Sequence, residues 1–365
     1  MNFRRLLRLR PRPPGQLHIA FVACNRNPDR FREDPSFIYR CENMGMALQA
    51  AGYRITYSHL SRVFEHGVPD VAVFHRPRYS FRLASVLYWL RRNGTTLVAD
   101  VDDLIFDMSL SRFSPGVLNE LVSLPKTRQQ FADHCRALAS FDLLTTSTQP
   151  LAKHLLRCLP RAKTWVLPNA VHLAWRQAGK DAPRKIRTRP VVTYFPGTRS
   201  HNRDFAVYAD GVGRFLAANP EARLEVTGPL SFELPARPGQ VVHRPKVPFE
   251  KYVERVRNGW VNLAPLEVTP FNRCKSALKV LEAGFSGVPT ICSPLPDANR
   301  FAAAGAVFAE DSDACFAALQ SMTEPAHYQA AIDDLSARVL AEADVMRVAD
   351  AFLQFIGVQS PFRPQ

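Results

Sequence analysis

Short apolar runs alternate with amphipathic, glycine-closed stretches twice along this chain, and that repeated alternation constrains its fold more than any single motif. Leu17 to Cys24 is apolar and ends in a polar, proline-bearing loop, as a strand buried on both faces of a parallel sheet would. Asn43 to Gly52 reads as a helix stopped by glycine, and Tyr53 to Tyr57 as the next strand. Val71 to His75 is another strand, Arg82 to Asn93 a helix closed at Gly94, and Thr96 to Asp100 a strand again. Leu143 to Ser147 and Thr164 to Pro168 continue the series. Strand, helix, strand at this spacing means a parallel, doubly wound sheet.

The segment His172 to Arg189 is polar, basic and aperiodic, and it reads as a linker. Beyond it the alternation restarts with strands at Pro190–Phe195, Arg223–Gly228, Val241–His243 and Trp260–Pro265. Helices are expected from about Phe205 to Ala218 and from Pro248 to Asn258. The organisation expected is therefore a basic leader (1–15), an N-terminal Rossmann-like domain (16–171), the linker (172–189), a C-terminal Rossmann-like domain (190–340) and a closing segment (341–365) whose helix crosses back to the first domain. A length of 365 residues agrees with two cores, because single cores split beyond about 250–300 residues.

The net charge of +14 points to anionic partners. No zinc-finger spacing, RNP-like aromatic run or basic low-complexity tail accompanies that charge, so nucleic acid is not expected as a partner. The seven cysteines are scattered and never form a CxxC pair, which fits reduced thiols in the cytoplasm. No apolar run reaches the roughly 18–20 residues of a membrane span. The leader, with Phe3, Leu6, Leu7 and several arginines, is either a plain basic tail or a short element lying on the anionic inner face of a membrane.

The chemistry concentrates between Phe271 and Ser293. Lys275, Lys279 and Glu282 fall at i, i+4 and i+7, so on one helix they share a face. Arg273 precedes them, and a helix N-terminus adds unpaired N–H groups, which together suit a polyanion. A glutamate two turns along suits a sugar diol, and the segment reads as a site for a nucleotide diphosphate with its ribose. Glu282 also stands at i+3 from Lys279 and could simply pair with it. Upstream, the loop after Phe195 carries Gly197, Arg199, His201, Asn202 and Arg203, where glycine admits a phosphate and arginine offers a charged fork.

The run Lys275-Ser-x-x-Lys279-x-x-Glu282, followed by Gly287-Val-Pro-Thr-Ile-Cys-Ser293, resembles the donor segment of retaining GT-B glycosyltransferases that build bacterial surface polysaccharides, the group 1-like transferases. Val192 to Asp204 is similar to the strand and loop that open the C-terminal domain of that group, and Val166 to Val171 to the segment before its linker. The resemblance implies two Rossmann-like domains facing across a cleft, with donor binding by Gly197, Arg199, Arg203, Arg273, Lys275, Lys279 and Glu282. Many members have two glutamates eight residues apart; the first falls here on Cys274, with Glu267 as the substitute at hand.

In the first half, Asp100-Val-Asp-Asp103 follows a strand directly. Two readings compete: a DxD pair on a divalent ion bridging the diphosphate, or carboxylates of Asp102 and Asp103 facing an acceptor hydroxyl. The second is preferred, since the basic donor segment already neutralises phosphate, so no metal and no cofactor are expected. Asp102, Asp103, Arg203 and Lys275 are thus the candidate catalytic residues, and Arg40, His75 and Arg76 the candidate acceptor contacts. The expected activity is metal-independent transfer of a sugar from a nucleotide-diphosphate sugar to a saccharide or lipid-linked acceptor, in the cytoplasm or on the inner membrane face. The alternatives are a non-catalytic nucleotide-binding or membrane-associated scaffold of a polysaccharide assembly, or a GT-B-like sugar-nucleotide epimerase.

Overall fold

The computed structural model describes residues 17–179 and 189–362. The basic leader and the middle of the expected linker lie outside the described residues. In chain order the elements are β1 (His18–Ala23), α1 (Pro35–Phe37), α2 (Asn43–Ala50), β2 (Arg54–His59), β3 (Val71–His75), α3 (Phe81–Arg92), β4 (Thr96–Val101), α4 (Pro115–Leu118), α5 (Leu124–Leu138), β5 (Leu143–Thr146), α6 (Gln149–Cys158), β6 (Lys163–Val166) and α7 (Leu173–Gly179). They continue with β7 (Val191–Tyr194), α8 (Asn202–Ala206), α9 (Ala209–Ala218), β8 (Arg223–Thr227), β9 (Val241–Arg244), α10 (Phe249–Arg257), β10 (Val261–Ala264), α11 (Leu278–Phe285), β11 (Thr290–Cys292), β12 (Ala306–Phe308), α12 (Ser312–Met322), α13 (Pro325–Ile332), α14 (Leu335–Glu342) and α15 (Val345–Phe355).

The chain forms two compact units. The first takes residues up to Ser111, then Arg128–Ala174, then everything from Asp344; the second takes Arg112–Thr127 and Trp175–Ala343. Each unit holds a six-stranded sheet whose described pairings are all parallel, in the orders β2-β1-β3-β4-β5-β6 and β12-β11-β10-β7-β8-β9.

The first core packs Ile19, Phe21, Val73 and Val98 of the sheet against Met44, Ala47 and Leu48 of α2. Ala349, Phe352 and Leu353 of α15 join the same core, so the end of the chain completes the first unit. Fully burying one such side chain stabilises by about 1.5–3 kcal/mol. Helix starts are capped locally: Ser80 accepts from Leu83 N–H at 3.1 Å to open α3, and Gly94, at φ 81°, takes the left-handed turn that ends it. The second core gathers Tyr194, Phe205, Phe215, Leu224, Leu263 and Ile291. There α9 lies so close to α12 that a Cβ on Gly211 would sit 2.0 Å from the Ser312 carbonyl oxygen, so only glycine fits.

Three readings of the sequence need correcting. The linker His172–Arg189 opens with a helix, α7, whose Trp175 stacks on Phe249 at 5.2 Å. The closing segment 341–365 begins inside α14, and its own helix, α15, opens only at the side-chain cap of Asp344. Residues 112–127 belong to the second unit, although they lie within the stretch read as the first domain.

Candidate functional site

In the second unit β7 and β10 are neighbours, while the chain leaves β7 toward β8 and leaves β10 toward β11. Such a reversal opens a crevice beyond the carboxyl ends of the two strands, which is where open α/β sheets bind ligands. The two loops at that reversal carry Gly197 to Arg203 and Leu266 to Lys275, so the topology brings both basic segments to one sheet edge.

The anchor of this edge is Asp204, buried on α8. Its Oδ1 accepts from the backbone N–H of Glu267 at 2.9 Å and from Asn272 Nδ2 at 3.0 Å, and its Oδ2 from His201 Nδ1 at 2.8 Å. Burial pushes this carboxyl up, but the His201 hydrogen bond and charge outweigh it, helped by Lys275, and the group is held below its ordinary value. One carboxylate thereby ties the two loops together. Asn272 adds a bond from Nδ2 to the Glu267 carbonyl at 2.9 Å, while its buried Oδ1 has no hydrogen-bond partner.

Around this anchor stand the cations. Lys279 is half-buried in the first turn of α11; burial pulls its pKa down, Glu282 opposes this, and the charge of Lys275 adds to the depression. The charges of both lysines also lower the pKa of His201, after burial. Two lysines that repel each other at a half-buried helix start form a place where a multivalent anion is favoured. Arg199 and Arg273 are exposed at the same edge, and beside Gly197 the space is open, with no heavy atom within 4 Å of where a Cβ would be.

The structure corrects the expected helix here. Residues Asn272–Cys274 form a 3-10 turn, Lys275 leaves it extended at φ −70° and ψ 149°, and α11 begins only at Leu278. Lys275 therefore approaches from the loop, its ammonium 5.5 Å from the Phe271 ring centroid, and does not share a helix face with Lys279. The reason is a cap from outside the segment: Asp297 Oδ2 accepts the Ala277 N–H at 2.8 Å and fixes where the helix starts.

Glu282 lies one turn after Lys279 and is buried. Its Oε2 accepts from the Tyr252 hydroxyl at 2.9 Å. Tyr252 is held edge-on by Phe195, with ring centroids 5.2 Å apart, and lies against Trp175. Burial and the charge of Glu282 keep its hydroxyl protonated far above its ordinary range, so it serves as a fixed donor. Arg203 is placed otherwise than expected: its guanidinium forks onto both oxygens of Glu267, at 2.9 and 2.7 Å. Its backbone N–H reaches Asn119 Oδ1 at 3.3 Å, and Asn119 Nδ2 reaches the Ser200 carbonyl at 2.8 Å, so the residue after α4 braces the loop. Cys274 is buried and donates toward the Pro270 carbonyl at 3.5 Å.

The first unit has a polar cluster at the ends of β3 and β4. Asp100 accepts from Arg40 Nη2 at 2.6 Å and Nε at 3.1 Å, from His75 Nδ1 at 3.0 Å and from Thr145 at 2.7 Å. Burial pushes its carboxyl up, yet Arg40 and His75 overcome this and hold it at about 2. Arg40 spends its other nitrogen on the Leu167 carbonyl and Asn169. Asp102 takes Arg76 Nε at 2.5 Å and the Ser36 hydroxyl at 2.5 Å, and Arg76 reaches Asp103 at 3.4 Å. Ser36 Oγ also lies 2.8 Å from His75 Nε2, so the serine joins the Asp100 and Asp102 groups into one cluster.

These contacts change the roles read from the sequence. Arg40 and His75 are 5% and 2% exposed and already bonded within the protein, so they build the edge and do not face an acceptor. Asp102 is held ionised, below the ordinary carboxyl range, against the effect of its burial and by Arg76 in particular; it is a weak base. Arg76, in a left-handed conformation at φ 49°, is bound to Asp102 and Asp103. Among the described residues no group of three His, Cys, Asp or Glu side chains is arranged to hold a metal ion.

Ser36, Asn119, Tyr252, Asn272 and Asp297 carry no motif that marks them in the sequence, and Asp204 stands there only as the end of one. A signal for Asp204 existed: His201 and Asp204 stand at i and i+3 where the loop after β7 turns into a helix.

No protein-family model matches the chain, and no curated protein matches its sequence. Solved structures do match its shape. Anabaena Alr3699/HepE in complex with UDP aligns at 11% identity over 93% of this chain and 99% of its own, with a TM-score of 0.59. The trehalose-6-phosphate synthase OtsA aligns at 12% identity over 92% and 98%, with a TM-score of 0.63. A UDP-forming α,α-trehalose-phosphate synthase from Burkholderia xenovorans gives 11%, 93%, 98% and 0.57. At such identities the likeness concerns the fold, and the chain has the two-sheet GT-B fold.

Proposed function

We propose that this chain is a glycosyltransferase that binds a nucleotide-diphosphate sugar at the β7/β10 edge and transfers the sugar to a saccharide or lipid-linked acceptor. The observation that carries the reading is the pair Lys275 and Lys279, crowded together at the start of α11 and beside an open glycine loop. That Alr3699/HepE, which shares this fold, was captured with UDP supports the same use of the site.

In the proposed reaction the bond between the anomeric carbon and the diphosphate oxygen breaks, a bond to the acceptor oxygen forms, and the acceptor hydroxyl proton passes to the departing diphosphate. Lys275 and Lys279 meet the charge that grows on the departing diphosphate. Tyr252 orients Glu282 through its hydroxyl, and in this reading the glutamate carboxylate accepts from the ribose diol. Arg203 joins the diphosphate only by exchanging Glu267 for it, which makes Glu267 a competitor for the same guanidinium. We further propose retention at the anomeric carbon, no metal requirement, a cytoplasmic or inner-membrane-face location, and a role in cell-envelope polysaccharide synthesis; these rest on the resemblance of the Lys275 to Ser293 segment.

The test is a thermal-shift panel of UDP-, GDP-, CMP- and dTDP-sugars with EDTA, on the wild type, Lys275→Ala and Lys279→Ala. Stabilisation by one nucleotide class that persists in EDTA and vanishes in both variants is the expected result. Loss of all shift in the wild type, or a shift indifferent to both lysines, rejects the site. Donor turnover with acceptor extracts then separates a transferase from a binding scaffold.

A further inference from the structure

The outward face of α3 is built unlike that of a solvated helix. Its inner stripe is ordinary: Leu83, Val86, Leu87 and Leu90 are buried. On the outer side Phe81 is 85% and Tyr88 65% exposed, and Phe81, Ser85, Tyr88 and Arg92 fall at i, i+4, i+7 and i+11, one line along the helix. Arg82 and Trp89 flank that line on one side, Ala84 and Arg91 on the other. Trp89 carries Phe64 edge-on at 4.8 Å, and Phe64 is itself 54% exposed. From Phe81 to Arg92 there is no acidic residue.

Water gives no reason to keep two large aromatic side chains this bare on one helix. Their setting indicates what covers them. Amphipathic aromatics are favoured at the boundary between headgroups and acyl chains, and arginines with long apolar stems reach from there to phosphate groups. Cations on both flanks, with no carboxylate among them, complement an anionic surface.

We propose that α3 lies flat on an anionic lipid bilayer, with Phe81 and Tyr88 entering the headgroup boundary and Arg82, Arg91 and Arg92 meeting lipid phosphates. This surface adds a partner to the function proposed above without resting on sugar transfer, because vesicle binding and nucleotide-sugar binding are separate readouts and either can fail alone. The experiment is co-sedimentation of the full chain with phosphatidylcholine vesicles with and without phosphatidylglycerol, at low and high salt. It compares the wild type, a Phe81→Ser, Tyr88→Ser, Arg92→Ser triple variant, and a leader variant with Arg4, Arg5, Arg8 and Arg10 changed to serine.

The expected result is salt-sensitive binding only to the anionic vesicles, reduced about tenfold or more in the triple variant and largely kept in the leader variant. If the triple variant loses thermal stability, Arg92→Glu alone takes its place, with a smaller loss in the same direction. Equal binding by wild type and triple variant, no binding by the wild type, or binding abolished by the leader changes alone overturns the proposal. So does light scattering that shows a dimer broken by the triple variant with vesicle binding unchanged, since the face would then belong to a second copy.

Discussion

The two sheet edges use the same residue types to opposite ends. At the first unit's edge, Asp100, Asp102 and Asp103 are answered by Arg40, His75 and Arg76, and Ser36 and Thr145 fill remaining positions. At the second unit's edge, Lys275 and Lys279 repel one another, Arg199 and Arg273 are exposed, and the nearby carboxylates of Asp204 and Glu282 are bonded to His201 and Tyr252. An edge whose charges are matched one against another has little use for an added anion; an edge with crowded cations is the one expected to be receptive. A charged residue after a parallel strand therefore points to a ligand site only where it stands beside charges of its own sign.

The largest effect that would break this contrast is in the closed edge. Arg40→Ala leaves Asp100 buried without its counterion and is expected to cost about 3–5 kcal/mol in chemical denaturation; a cost near zero would mean that the cluster is not closed. Next comes Lys279→Ala at the receptive edge. It is expected to lower kcat/KM with the cognate nucleotide sugar by roughly a hundred- to a thousandfold, with an unchanged melting temperature. Acid gives a third comparison. The Asp100 carboxyl is held at about 2, below its ordinary 3.8, so its stabilisation is complete above pH 3.8 and lost as pH falls from there to about 2; this is worth about 2 kcal/mol. Acid titration of the wild type beside Arg40→Ala checks it, and the variant should show the flatter profile. The smallest effect is in Arg203→Ala, which removes an exposed pair with Glu267 and should change stability by less than about 1 kcal/mol. A fall in donor affinity in that variant without loss of stability would sharpen the assignment of Arg203 to the diphosphate.

The architecture was readable from sequence because its signals are local. Apolar strands such as Leu17–Cys24 and glycine stops such as Gly94 need no distant partner. The three-residue strands β11 and β12 give little periodicity, so they were harder to see. The site was legible in residue type and less so in geometry. Lys275 and Lys279 were identified, but the start of α11 is set by Asp297, twenty residues downstream. The partner of Glu282 is Tyr252, thirty residues upstream, where local spacing suggested Lys279. Arg40 and His75 looked like cleft residues because they follow the pattern of strand ends and loops, whereas burial beside Asp100 is a tertiary fact.

The Asp297 cap has a mechanical consequence. The carboxylate that holds the Ala277 N–H also forms an ion pair with Arg300 at 3.2 Å, and Arg300 Nη1 reaches the carbonyl of Glu342 at 3.2 Å. Glu342 stands one residue before Ala343, where the chain leaves the second unit for the first. The same carboxylate thus fixes the first turn of α11 and, through Arg300, holds the last turn of the second unit before the chain leaves it, so the donor segment and the exit from this unit share one anchor.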